Sequence, residues 1–185
     1  MKKQLPWVLA VALAMALGAA SSDYLSVKRK LDLIASDRLK AGSRVELTPA
    51  ELNAYAGREA PAGVRNPKIR LVARGLVSGA ALVDFGELWR AQGYQPGWLM
   101  SKLLDGERPV SVTARIRSSG GRATVDVERV EISGIAIDGR TLDFLIQNLL
   151  LPLYPDAVVG RPFELGHRIE KLDIEPAAVR VVIGR

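Results

Sequence analysis

The chain of 185 residues contains no cysteine. Disulfides, thiolate metal sites, thiol nucleophiles and a lipid-modified N-terminal cysteine are all excluded by that one absence. Histidine is nearly absent too. His167 is the only one; it stands where a loop gives way to a strand, followed by Arg168, a setting more typical of a surface residue than of a general base. No serine lies in a Gly-x-Ser-x-Gly turn. No acidic pair has helix spacing beside a histidine for metal ligation, and the one glycine pair, Gly120-Gly121, belongs to a hairpin turn and not to a phosphate-binding loop. Asp84, Glu87, Asp138 and Asp143 could meet in space, but acids at strand ends and helix starts usually serve turns and caps. The expectation is a protein that is not an enzyme and uses no metal and no cofactor.

Aromatic residues are scarce at 5% while 48% of residues are hydrophobic, so the apolar content is mostly aliphatic. The net charge is +6, and without Lys2 and Lys3 it is +4, with 24 basic against 20 acidic residues. No dense basic block has aromatics interleaved for base stacking, which argues against nucleic acid. A mild attraction to anionic lipid surfaces and simple solubility are both compatible with this excess.

Met1 to Ser22 reads as a secretory signal. Lys2 and Lys3 form its positive start, Leu5 to Leu17 its apolar run, and Gly18-Ala19-Ala20 its small-residue cleavage site, with cleavage expected near Ala20. The run is shorter than the roughly 20 residues of a membrane span. Lys28-Arg29-Lys30 follows closely and weakens the charge asymmetry that orients a leader. The expected destination is the bacterial periplasm, with residues 1–20 as the signal peptide and 21–185 as a single domain.

The mature chain predicts a helix over Asp23 to Lys40, with Tyr24, Val27, Leu31, Ile34 and Ala35 on one face and Gly42 as its stop. Its Lys28-Arg29-Lys30 cluster either meets phospholipid headgroups or is the wet face of an amphipathic helix. Arg44 to Leu47 suits a short strand. Thr48-Pro49-Ala50-Glu51 carries a capping box and a proline in the first turn, opening a helix to about Ala56. Gly57 to Pro67 has loop composition. From Lys68 the period becomes two, and a second strand runs from Leu76 to Phe85, its small central residues Ser78 to Ala81 allowing a close approach, most often by a helix. Glu87 to Ala91 suits a turn of helix and Trp98 to Leu104 another short one.

Pro109 to Gly134 is a long hairpin turning at Ser118 to Gly121, with a phase slip that predicts a bulge near Glu128-Arg129. Thr141 to Tyr154 is then apolar around most of its circumference, with nine large apolar residues in fourteen, Asp143 in its first turn and Pro152 and Pro155 ending it. Such a helix is either a central core element or lines a pocket for a lipid tail. Two closing strands, Arg168 to Ile174 and Val179 to Ile183, flank a turn at Glu175-Pro176. The fold class expected is α+β: a long, twisted antiparallel sheet of about five or six strands, wrapped around or covered on one face by three or four helices.

The order of these elements resembles that of the small exported bacterial lipid-binding proteins of the LmeA type, distant relatives of the tubular lipid-binding (BPI-like) superfamily. The likeness is carried by Thr48-Pro-Ala-Glu-Leu-Asn53, the Leu82-Val-Asp-Phe85 strand end, the Pro109–Gly134 hairpin, the apolar helix, Arg161-Pro-Phe-Glu-Leu165 and the closing strand pair. It implies a twisted sheet around a helix with an apolar groove for acyl chains, and no catalytic residues. The groove residues expected are Leu142, Leu145, Ile146, Leu149 and Leu150 on the helix, facing Val112, Ala114, Val125 and Val127 on the hairpin. Leu99 and Leu103 would close one end, with Trp98 at the rim. The function expected is therefore lipid binding or carriage in the periplasm, with a phospholipid or other long-chain amphiphile as partner and transient contact with a membrane surface. The alternative is an envelope interaction protein with a filled core, recruiting a partner through its wet sheet face or a strand edge.

Overall fold

In the computed structural model, residues 21–91, 93, 106–147 and 159–185 are described. The chain is α+β, with two antiparallel sheets where the sequence predicts one. Helix α1 covers residues 21–35. It ends earlier than the predicted Lys40, because Asp37 takes a left-handed conformation (φ 55°) just past its last turn. Gly42 is not its stop. It donates to the Ile183 carbonyl instead and leads into strand β1, Arg44–Leu47.

Helix α2, Pro49–Glu59, starts as its sequence dictates: Thr48 Oγ1 accepts from the Glu51 N–H and the Glu51 carboxylate accepts from the Thr48 N–H. It runs a turn beyond the predicted Ala56. Glu59 accepts a hydrogen bond from the Tyr24 hydroxyl of α1 at 2.5 Å, and the Tyr24 and Tyr55 rings stack at 6.3 Å, so tertiary contact holds the extra turn.

Strand β2, Val64–Ala73, takes up part of the predicted loop. Pro67 lies within it, at a register shift between Arg65 and Lys68, which is tolerated because β2 is an edge strand. Strand β3, Leu76–Asp84, follows directly. Asp84 then caps helix α3, Phe85–Ala91, by accepting from the Glu87 N–H at 2.9 Å. The hairpin is formed by β4, Glu107–Ser119, and β5, Arg122–Ile132. Thr113 pairs with Arg129 and Ala114 with Val127, which leaves Glu128 as the extra residue of the predicted bulge. Strand β6, Ile135–Ile137, precedes helix α4, Gly139–Leu145. Because α4 begins at Gly139, Asp143 lies beyond its first turn, contrary to expectation. Strands β7, Phe163–Glu164, β8, Ile169–Glu175, and β9, Ala178–Ile183, complete the chain.

The larger sheet has the order β2-β3-β4-β5-β6, with β7 also pairing β5; the smaller has the order β1-β9-β8. The smaller sheet and α1 enclose a filled core of Val27, Ile34, Val45, Leu47, Val181 and Ile183. Val27, at 1% exposure, is its centre, and each such aliphatic side chain contributes roughly 2 kcal/mol by leaving water. A second cluster, Val83, Phe85 and Leu88, closes the α3 end of the larger sheet.

The two sheets join along the outer edge of β8. Gly75 donates to the Ile174 carbonyl, Leu172 and Ser118 exchange hydrogen bonds, and Gly121 donates to the Glu170 carbonyl. Alternate residues of β8 thus bond the turns of the larger sheet.

The Lys-Arg-Lys cluster of α1 does not act as one basic patch. Lys30 turns inward, its Nζ 2.7 Å from Glu51 Oε1 and bonded to the Glu46 carbonyl at 2.6 Å. Glu51 is 4% exposed and is the buried charged residue of this core. Burial pushes its pKa up, but hydrogen bonds from Lys30, Ser26 and the Thr48 backbone, with the Lys30 charge, outweigh this and bring it down to about 2.

Candidate apolar groove

The groove begins with strand register. In an antiparallel sheet, directly opposite residues share a face. Gly79 of β3 lies opposite Ile69 of β2 and Val112 of β4, and Val112 lies opposite Val130 of β5. One step along, Val77 lies opposite Leu71 and Ala114, and Ala114 opposite Val127. Val125 lies opposite Ile116. Four of the predicted residues, Val112, Ala114, Val125 and Val127, therefore form one continuous aliphatic patch. The bulge at Glu128 makes this possible, since without it Val130 would point to the opposite face from Val127.

Val77, Gly79, Val112, Ala114, Ile116, Val125, Val127 and Val130 are half-buried, and Leu71 at the β2 end of the row is buried. At the middle of the patch stands Gly79. A Cβ built there would meet nothing within 4 Å among the described residues. The sequence anticipates a close neighbour over these small residues, and among the described residues Gly79 has none.

On the helical side, Leu142 and Ile146 are described and half-buried, following α4 and its last turn. The backbone of Leu145 is in α4. Leu149, Leu150, Trp98, Leu99 and Leu103, with the predicted helix Trp98 to Leu104 and the stretch from 148 to 154, lie outside the described residues. Four depressions walled by described residues lie elsewhere, and none is lined by the twelve predicted positions.

The opposite face of the larger sheet is polar, and three of its arginines are paired. Arg115 pairs with Glu128, Arg117 with Asp126 and Arg129 with Glu131. The Arg129 guanidinium, with the Ser111 hydroxyl, holds Glu131 below the usual carboxylate range.

Of the acids singled out in the sequence, Asp84 and Glu87 have structural partners. Asp84 caps α3, Glu87 lies 3.5 Å from Arg65, and Asp138 precedes α4 without a side-chain cap bond. His167 is half-exposed with its Nδ1 3.7 Å from Asp37. It stands in a left-handed stretch with Gly166 and Arg168 that carries the chain from β7 to β8. Among the described residues no group of three or more histidines or acids could hold a metal ion, and no helix is long and apolar enough to cross a membrane.

No protein-family model, no curated protein and no solved structure matches the chain.

Proposed function

We propose that the protein binds, and carries, a lipid in the periplasm, holding acyl chains against the apolar face of the larger sheet beside α4. The observation that carries this reading is a continuous aliphatic patch at whose centre a Cβ on Gly79 would meet nothing within 4 Å among the described residues. The filled core is elsewhere, between α1 and the smaller sheet, so the patch is not needed to close that core. The resemblance of the element order to LmeA-type lipid-binding proteins points the same way. An acyl chain gains roughly 0.8 kcal/mol per buried methylene, so about ten methylenes give near-micromolar affinity without specific headgroup contacts.

The test is native mass spectrometry of the protein isolated from the cell envelope without detergent, followed by solvent extraction. A stoichiometric adduct that extracts as a long-chain lipid is the expected result. An adduct-free mass together with no uptake of a fluorescent fatty acid would replace this reading with that of a protein-recruiting envelope module.

A further inference from the structure

Five large apolar side chains stand exposed among the described residues: Leu25, Leu33, Tyr55, Val72 and Ile135. Three of them belong to the helical layer, Leu25 and Leu33 to α1 and Tyr55 to α2. At about 100° per residue, Leu25, Arg29 and Leu33 follow one another along a single line of α1, one turn apart. That line is opposite Val27 and Ile34, which are in the core.

The basic cluster separates around this line. Lys30 points inward to Glu51, and Lys28 is drawn along the helix to Asp32 at 3.8 Å. Arg29 is exposed, and it makes no hydrogen bond or ion pair among the described residues. An isolated exposed leucine needs no explanation. Here two leucines, 57% and 46% exposed, bracket an unpaired arginine. That sequence of groups matches the boundary at which acyl chains give way to anionic headgroups. Beside Leu25, a depression of about 530 Å³ between α1 and α2 is walled by Tyr24, Ala54 and Arg58, and the Arg58 guanidinium lies 5.8 Å from the centre of the Tyr24 ring. Aromatic rings and cations side by side are also groups of the membrane interface. The apolar run Leu5 to Leu17 joins the chain at the Leu25 end of α1.

We propose that the outer face of α1, along Leu25, Arg29 and Leu33 with Arg58 at its side, is the surface by which the protein lies on an anionic phospholipid membrane. This goes beyond the groove: the groove holds a lipid, whereas this face sets the protein down where lipids are. The Arg29 and Arg58 guanidinium groups meet phosphates, and the leucines reach below them. Asp32 and Glu59 face the same side and temper the attraction, Asp32 through its pair with Lys28 and Glu59 as acceptor from Tyr24. The contact is therefore weak, reversible and sensitive to salt.

The absence of native cysteine allows a position-specific test. Full-length Leu33→Cys carries an environment-sensitive fluorophore, with Ile135→Cys and Val72→Cys as labelled exposed sites elsewhere. Each is mixed with vesicles of phosphatidylglycerol and phosphatidylcholine, or of phosphatidylcholine alone. The expected result is a blue shift at position 33 on the anionic vesicles only, lost at about 0.5 M salt and reduced about tenfold by Arg29→Glu in the same labelled chain. Positions 72 and 135 stay unshifted. A shift at 135 or 72 without one at 33, an equal shift on neutral vesicles, or an unchanged shift with Arg29→Glu would each overturn the proposal. Insertion of the apolar run Leu5 to Leu17 would also bring position 33 near the bilayer, but it would do so on neutral vesicles as well and without need of Arg29, so those two arms separate it from the proposal. Groove occupancy is read separately as adduct mass, so either proposal can fail alone.

Discussion

Asn53 bonds Ile69 as a neighbouring strand would. Its Nδ2 donates to the Ile69 carbonyl at 2.9 Å while its Oδ1 accepts from the Ile69 N–H at 2.8 Å. A third bond, from Nδ2 to the Pro49 carbonyl at 2.7 Å, fixes the amide to the first turn of α2. One side chain thus ties the helical layer to the free edge of β2, and Pro67, two residues earlier on that edge, has no N–H to offer. Ile69 and Pro67 thus hinder the pairing of this edge with a second copy of the sheet.

Replacing Asn53 with leucine leaves both Ile69 groups without a partner. The expected cost is about 1–3 kcal/mol in urea unfolding. Size-exclusion chromatography should also detect concentration-dependent self-association through β2. A variant as stable and as monomeric as the parent would show that the edge is guarded by something else.

The buried carboxylate of Glu51 gives the protein an acid-sensitive component. Its folded pKa of about 2 lies below the ordinary 4.5. The stabilisation is therefore fully present above pH 4.5 and is lost as the pH falls toward 2, at most about 3 kcal/mol in all. Urea midpoints measured through that window should fall in the parent, and Glu51→Gln should remove this component of the fall. The variant should also be weaker at pH 7 by about 2–4 kcal/mol, since Lys30 loses its partner.

Two glycines should respond in opposite directions to alanine. Gly63 has φ +85°, and a Cβ there would stand 2.6 Å from the Asp84 carbonyl oxygen and the Leu88 nitrogen. Gly63→Ala should cost more than about 2 kcal/mol. Gly57 is inside α2 with nothing within 4 Å, so Gly57→Ala should stabilise by roughly 0.5–1 kcal/mol. Thermal melts of the two variants give the comparison directly.

Gly79→Leu separates an open groove from a filled core. Leucine at this position should occupy the space over the sheet and lower fatty-acid uptake about tenfold, with unfolding stability unchanged or raised. A loss of 1–3 kcal/mol by overpacking would indicate instead that the site is already full.

The sequence made the local features legible. Thr48 and Glu51 announce their capping box because both ends of it lie within four residues, and the slip between Val127 and Val130 announces the bulge because the alternation itself changes phase. What escaped reading depends on partners distant in sequence. Nothing near Lys30 says that it will turn from the wet face to Glu51, 21 residues on. Nothing near Arg44 to Leu47 says that β1 will leave the main sheet for β9. For the groove, the alternation in β4 and β5 was enough to bring Val112, Ala114, Val125 and Val127 to one face. Gly79 at its centre marks either contact or space, because a glycine in a strand serves both, and only neighbours distant in sequence decide which.

The pairing of β1 with β9 sets an order of events. Arg180 reaches Glu46 across 134 residues of chain, so the first strand and α1 find their cover only when the last strand is available. The core under α1 therefore cannot close while β9 is still being made, whereas the Val83, Phe85 and Leu88 cluster draws only on residues 64–132.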